Sequence, residues 1–317
     1  MIIAGLLVVL GFVSLIYGAN WLVDGSSSLA KKHNIPDLVI GLTIVAFGTS
    51  APELVVNTVA SSNGFSDIVL GNIIGSNNFN LFFILGMAGL IFPIAVKSST
   101  AWREIPISLG VTLLLFLLAN NFFVGETKEI SRIDGIVLLL FFFLFLYYVF
   151  TQLKSDPSEV EAYAIKSNKK IWSLIALGLA GLIIGGKLVV DNSITIATDL
   201  GVSQKIIGLT IIAAGTSLPE LITSIVAALK KNSDIAIGNV LGSNIFNILL
   251  ILGVSSLINP VQYNPYFNID IAILMGGTAL LIVAMITGKR KTLDRWEAMI
   301  FFSFYLAYTI YLVSKEL

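Results

Sequence analysis

Two glutamates, Glu53 and Glu220, stand in strongly apolar stretches of the chain, 167 residues apart. A carboxylate at the centre of a membrane-buried helix costs at least about 2.5–3.5 kcal/mol, so two at matched positions imply a use. The residues before them match as well. They read Gly48-Thr49-Ser50-Ala51-Pro52-Glu53 and Gly215-Thr216-Ser217-Leu218-Pro219-Glu220. Proline has no N–H, and its ring clashes with the carbonyl four residues back. The carbonyls of residues 46–49 and 213–216 are therefore expected to be released from helical bonding. In hydrocarbon, released carbonyls need a partner or a wet cavity, and cations are natural partners. Thr49 and Ser50 precede Glu53 closely enough to share its helix face, and Thr216 and Ser217 stand in the same relation to Glu220.

The next apolar segment of each half carries Gly75-Ser76-Asn77-Asn78-Phe79-Asn80 and Gly242-Ser243-Asn244-Ile245-Phe246-Asn247. Ser76 with Asn80, and Ser243 with Asn247, each put a hydroxyl and an amide oxygen on one face. Gly71, Gly75, Gly238 and Gly242 are expected to allow close helix approach. Every candidate ligand is an oxygen. A calcium ion takes about 6–8 oxygens in a tolerant geometry, and two carboxylates neutralise one Ca²⁺. Na⁺ is a hard cation too, and carboxylates also carry protons, so all three remain open partners at this level.

These residues are set in a duplication. Residues 41–86 return without a gap at 208–253, with 26 of 46 positions identical. The identities gather on Gly, Thr, Ser, Pro, Glu and Asn, where a repeat kept only for packing would preserve apolar volume. The chain is 56% hydrophobic and 12% charged, with a mean hydropathy of +0.92. Soluble domains carry about 25% charged residues, so this is a polytopic membrane protein. Net charge is zero, which gives no pull toward nucleic acid. With no cysteine and one histidine, His33, the chain lacks thiol chemistry, disulfides and the usual zinc ligands. No cofactor and no obligate protein partner are expected.

A spanning helix needs about 20 apolar residues. Such runs fall near 2–23, 38–60, 68–93, 105–123, 133–151, 171–190, 206–229, 235–258, 267–287 and 296–314. The second and seventh are broken at Pro52 and Pro219. The apolar N-terminus lacks a basic n-region and reads as a retained first helix. The expected organisation is all-α, with ten transmembrane helices in two five-helix repeats, 1–151 and 171–317, joined by a loop at 152–170. Because five is odd, the second repeat enters the membrane from the opposite side, the inverted topology of many secondary transporters. Of the 19 Lys and Arg residues, 14 fall in connections on the side opposite the N-terminus and 4 on the N-terminal side, while Lys187 lies within a span. This split places both termini outside the cytoplasm of a cell-membrane protein. Lys187 is expected to snorkel and pair with Asp191, and Asp67 and Asp234 are expected to cap their helices at the surface.

GTSAPE with GSNNFN, and GTSLPE with GSNIFN, resemble the two α-repeats of sodium/calcium exchangers of the cation/calcium antiporter superfamily. The resemblance covers the whole chain. It implies a midplane site in which Glu53 and Glu220 bridge Ca²⁺ and Na⁺. Thr49, Thr216, Ser50 and Ser217 would stand beside them, and Ala46 and Ala213 would offer carbonyls. Ser76 and Ser243 would complete outer Na⁺ sites, and Asn80 and Asn247 would line the centre. The implied cycle exchanges three Na⁺ for one Ca²⁺ by alternating access. Potassium-dependent relatives place an Asp in the second copy, and this chain has Asn at both positions, so the pair Asn80 and Asn247 predicts potassium independence. The 152–170 loop is too short for the regulatory calcium-binding domains of animal exchangers. The nearest rival is a Ca²⁺/H⁺ exchanger using the same glutamates. A membrane hydrolase would lack a histidine base near any nucleophile, and a passive channel fits two sealed half-helices less well.

Overall fold

The structure is a computed structural model that describes residues 1–96, 101–120, 128–152, 167–200, 213–287 and 291–316. It is all-helical apart from two short strand pairs. We number the helices α1 (Ile2–His33), α2a (Asp37–Thr49), α2b (Ala51–Ser62), α3 (Ser66–Ile91), α4 (Ala101–Ala119) and α5 (Arg132–Gln152) in the first half. The second half has α6 (Asn168–Asp199), α7a (Ala213–Gly215), α7b (Leu218–Leu229), α8 (Ser233–Ile258), α9 (Phe267–Ala284) and α10 (Arg295–Glu316).

Among the described residues, seven helices are long and apolar enough to cross a membrane, or eight if the bent pair α2a–α2b is one span. Of the ten spans expected, residues 206–212 of the seventh lie outside the described residues, and α10, which covers the tenth, is not among those seven or eight. The protein is a multi-pass membrane protein. Most of the 152–170 loop also lies outside the described residues, and α6 begins within its last residues, at Asn168. The first and sixth helices are longer than the apolar runs suggest. At about 1.5 Å per residue, 32 residues reach about 48 Å, against a hydrocarbon core of about 30 Å. Apolar runs mark only the lipid-facing stretch, and α1 continues through Lys31, Lys32 and His33 to a left-handed cap at Asn34.

These two helices lie against each other backbone to backbone. A Cβ at Gly18 would come within 2.8 Å of the Leu182 nitrogen, and one at Gly178 within 2.6 Å of the Leu22 nitrogen. Ser14 Oγ donates to the Gly181 carbonyl at 2.8 Å across the same seam. The serine and the glycine are themselves 167 residues apart, so equivalent points of the two halves meet here.

The halves are interlocked. Strand β1 (Ile94–Ala95), after α3, pairs with β4 (Thr292–Leu293), before α10. In the same way β2 (Glu129–Ile130), before α5, pairs with β3 (Val261–Gln262), after α8. Helix α3 packs on α10 and α8 packs on α5. The two sequence repeats are therefore not separate structural domains, since each lends its last helices to the other's central one.

Helix caps differ from expectation. Asn232, not Asp234, caps α8 by accepting the Ile235 N–H at 3.1 Å. The N-cap of α3 is Phe65, with no side-chain bond, and Asp67 lies in the first turn, where a negative charge meets the positive end of the helix dipole. Among the described residues, Lys187 makes no ion pair with Asp191, and its side chain is exposed on α6.

Candidate functional site

The site is built where α2 and α7 break. Helical bonding in α2a ends with the Ser50 N–H to the Ala46 carbonyl at 3.0 Å and resumes with the Leu54 N–H to the Ser50 carbonyl at 3.1 Å. Between them stands Pro52, in the first turn of α2b, and the chain bends by 48°. Ser50 leaves the helical conformation with φ −82° and ψ 7°, and Ser217 does so with φ −90° and ψ 9°. The released carbonyl is thus not that of Ala46, which is buried and also accepts the Thr49 hydroxyl at 3.3 Å. Pro52 offers no N–H to Gly48.

Because the helix stops at Ser50, the serine does not share a helical face with Glu53 of its own half. It crosses to the other half. Ser50 Oγ donates to Glu220 Oε1 at 2.9 Å and lies 3.0 Å from Ser243 Oγ. The reciprocal set is Ser217 Oγ to Glu53 Oε1 at 3.1 Å and to Ser76 Oγ at 3.1 Å. Thr49 donates to Asn239 Oδ1 at 3.1 Å, and Thr216 to Asn72 Oδ1 at 3.3 Å. Exchanging each residue n with n + 167 turns one set into the other. Ala213 opens α7a, and its side chain is not among those described.

Behind the serines lies a second reciprocal layer. Asn80 Nδ2 donates to Asn244 Oδ1 at 3.1 Å, and Asn247 Nδ2 to Asn77 Oδ1 at 2.9 Å. Asn77 and Asn244 each donate to the other's backbone carbonyl at 3.2 Å. Asn80 lies in a π-helical segment, Phe79–Ile84, and Asn247 opens another, Asn247–Leu252. Such wide turns are rare and recur at functional sites.

Glu53, Glu220, Asn80 and Asn247 are each at most 1% exposed. Among the described residues, Glu53 Oε2, Glu220 Oε2, Asn80 Oδ1 and Asn247 Oδ1 have no hydrogen-bond partner. All four are acceptors. A buried acceptor without a donor costs about 1–3 kcal/mol, and more when charged. A set of acceptors alone, two of them carboxylate oxygens, is short of positive charge and suits a hard cation. No group of three or more His, Asp or Glu forms among the described residues, so the remaining ligands must be neutral oxygens.

The sequence motifs singled out twelve residues, and the structure ties eleven of them into this network by the bonds above. The asparagines Asn72, Asn239, Asn77 and Asn244 were not counted as site residues. All four are identical between the repeats, which is the signal that could have found them.

A model of the sodium/calcium exchanger protein family matches residues 3–151 and 170–314. The chain belongs to the sodium/calcium exchanger family. It is 39% identical to CaxA of Alkalimonas amylolytica over 99% of this chain and 100% of that one. It is 33% identical to the sodium/calcium exchanger MaX1 of Methanosarcina acetivorans over 97% of each chain. Its fold matches the sodium-calcium exchanger NCX_Mj, soaked with zero Na⁺ and Ca²⁺, at a TM-score of 0.84 and 32% identity, covering 98% of this chain and 100% of that chain. Family members are transporters, which fits cation/Ca²⁺ antiport in this exchanger and a reciprocal oxygen site between its halves.

Proposed function

We propose that the protein exchanges Na⁺ for Ca²⁺ across the cell membrane by alternating access, three Na⁺ for one Ca²⁺, without K⁺. The observation that carries this reading is the set of four unpartnered buried oxygens, two of them on carboxylates that are held through serines of the opposite half. Glu53 and Glu220 would hold Ca²⁺ between them, with Ser50, Ser217, Thr49 and Thr216 beside it. Ser76, Ser243, the Ala213 carbonyl and, on giving up the Thr49 hydroxyl, the Ala46 carbonyl would serve Na⁺ at the flanks, and Asn80 and Asn247 would line the centre. Two buried carboxylates without a cation carry an unpaired charge that costs several kcal/mol each. The empty site is therefore a poor candidate to change sides, and this is what makes transport an exchange rather than a leak.

In the same reading the chain forms ten spans in two inverted five-helix repeats with extracytoplasmic termini. The reciprocal bonding supports it, because a pseudo-twofold relation between opposed halves generates such pairs. A site that both halves supply equally has no built-in preference for one side of the membrane. Lipid vesicles containing the purified protein test the reading. Uptake of ⁴⁵Ca²⁺ should follow an outward Na⁺ gradient at matched pH. Uptake that follows only a pH gradient would replace it with Ca²⁺/H⁺ exchange on the same two glutamates.

A further inference from the structure

An asparagine at the centre of a cation site poses a problem that an aspartate does not. Its amide has an oxygen at one end and an NH₂ at the other, and only the oxygen can face a cation. Asn80 and Asn247 are buried, and their Oδ1 atoms are the unpartnered ends.

We infer that Asn77 and Asn244 are positioning residues that fix which end of the Asn80 and Asn247 amides faces the cation. This rests on the reading that Asn80 and Asn247 line the ion site. The order of donors is set by the backbone. A carbonyl can only accept, so the Asn244 carbonyl forces the Nδ2 of Asn77 toward it at 3.2 Å. That turns Asn77 Oδ1 toward Asn247, where it accepts Nδ2 at 2.9 Å. The Asn247 oxygen is then left pointing away from its partner. The Asn77 carbonyl, Asn244 and Asn80 repeat the chain in the other direction. Reversing Asn77 or Asn244 sets oxygen against oxygen at one contact and hydrogen against hydrogen at the next, and reversing Asn80 or Asn247 sets oxygen against oxygen and turns the NH₂ toward the cation. The relay is buried throughout, with Asn77 at 0% and Asn244 at 2% exposure, so no bulk water can stand in for a lost partner. It lets a neutral side chain serve as a directional cation ligand and spares the site a third negative charge.

The test is equilibrium Ca²⁺ binding to the purified full chain in detergent without Na⁺, read by calorimetry. Asn77→Leu removes the acceptor that holds Asn247, and Ca²⁺ binding should weaken about tenfold or more. Adding Asn247→Asp to that variant should bring binding back to the level of Asn247→Asp alone, because both ends of a carboxylate are oxygen. Damage that is merely structural would not be rescued in this way. Asn244→Leu with Asn80→Asp is the second arm, and it decides the matter if Asn77→Leu does not fold. Unchanged binding in both leucine variants, or rescue in neither pair, would overturn the inference. Asn247→Ala separates the two levels. If it leaves Ca²⁺ binding unchanged, the site reading falls and the inference with it. If it weakens binding while Asn77→Leu does not, only the positioning role falls.

Discussion

The first and second halves agree in the innermost shell and diverge one layer out. Around the glutamates the crossing serine and threonine contacts of one half have counterparts in the other, and one contact within each half differs, since Ser243 Oγ donates to Glu220 Oε1 at 3.4 Å whereas Ser76 Oγ donates to Asn72 Oδ1 at 3.3 Å. Behind them, Asn239 Nδ2 donates to the Glu220 carbonyl at 3.2 Å and to Ser224 Oγ at 3.0 Å. The matched position of Ser224 is Asn57, whose own Nδ2 takes the Glu53 carbonyl at 2.7 Å. Asn72 Nδ2 is then without a partner among the described residues. Of the glycines expected to allow close approach, Gly238 and Gly242 do so against α2a, where a Cβ would lie 2.9 Å from the Leu38 carbonyl and 2.6 Å from Ala46 Cβ; the matching stretch for Gly71 and Gly75, 205–212, lies outside the described residues. The difference teaches where the constraint falls. Atoms that can face the ion must match, whereas the supports behind them need only satisfy their own local bonds.

The comparison is broken most severely at the carboxylates. Glu53→Gln and Glu220→Gln should each lower Na⁺-driven ⁴⁵Ca²⁺ uptake on the order of a hundredfold, as expected for losing a buried charge-assisted ligand. Circular dichroism should report the same helix content. If one variant stays active and the other does not, the inner shell is not equivalent between halves.

Next comes the seam between α1 and α6. Gly178→Val places side-chain atoms against the Leu22 backbone and should destabilise the protein by about 1–3 kcal/mol or more. Gly110→Ala, at an exposed glycine of α4 with nothing within 4 Å among the described residues, should fall within about 0.5 kcal/mol. Thermal unfolding in detergent separates them, and a Gly110→Ala variant as unstable as Gly178→Val would refute the special closeness of the α1–α6 seam.

A smaller effect should follow from swapping the supports. Asn57→Ser frees the Glu53 carbonyl for Asn72, as Ser224 leaves Glu220 for Asn239. It trades one hydrogen bond for another, each worth about 0.5–1.5 kcal/mol net. Ca²⁺ affinity by calorimetry should stay within a few fold of the wild type, and a loss matching Glu53→Gln would show that the outer layer is constrained too. The smallest effect is none at all. Replacing K⁺ by an inert organic cation at fixed Na⁺ should leave uptake unchanged, and an absolute K⁺ requirement would contradict the reading of Asn80 and Asn247.

Most helix positions, the breaks at Pro52 and Pro219 and the gathering of oxygen-bearing side chains around Glu53 and Glu220 were legible in the sequence, because each rests on local chemistry or on the repeat. The pairing of Ser50 with Glu220 was not. Spacing along one chain suggested Glu53, and only the break at Ser50, where the backbone leaves the helix, redirects the hydroxyl to the other half. The π-helical segments at Asn80 and Asn247 have no signature in residue type. The role of Asn77 lay hidden because an amide's direction depends on a carbonyl brought in from a segment 167 residues away.

The strand clasps also set a timetable. Strand β1 cannot find β4, nor α3 its place on α10, until nearly the whole chain has been made. Contacts this distant in sequence form late. The nascent first half therefore waits in the bilayer, with Glu53 lacking its serine until Ser217 is made and α3 lacking its seat on α10 until the end. A truncated chain ending before β4 would leave β1 and α3 without their partners, a ready substrate for quality-control proteolysis.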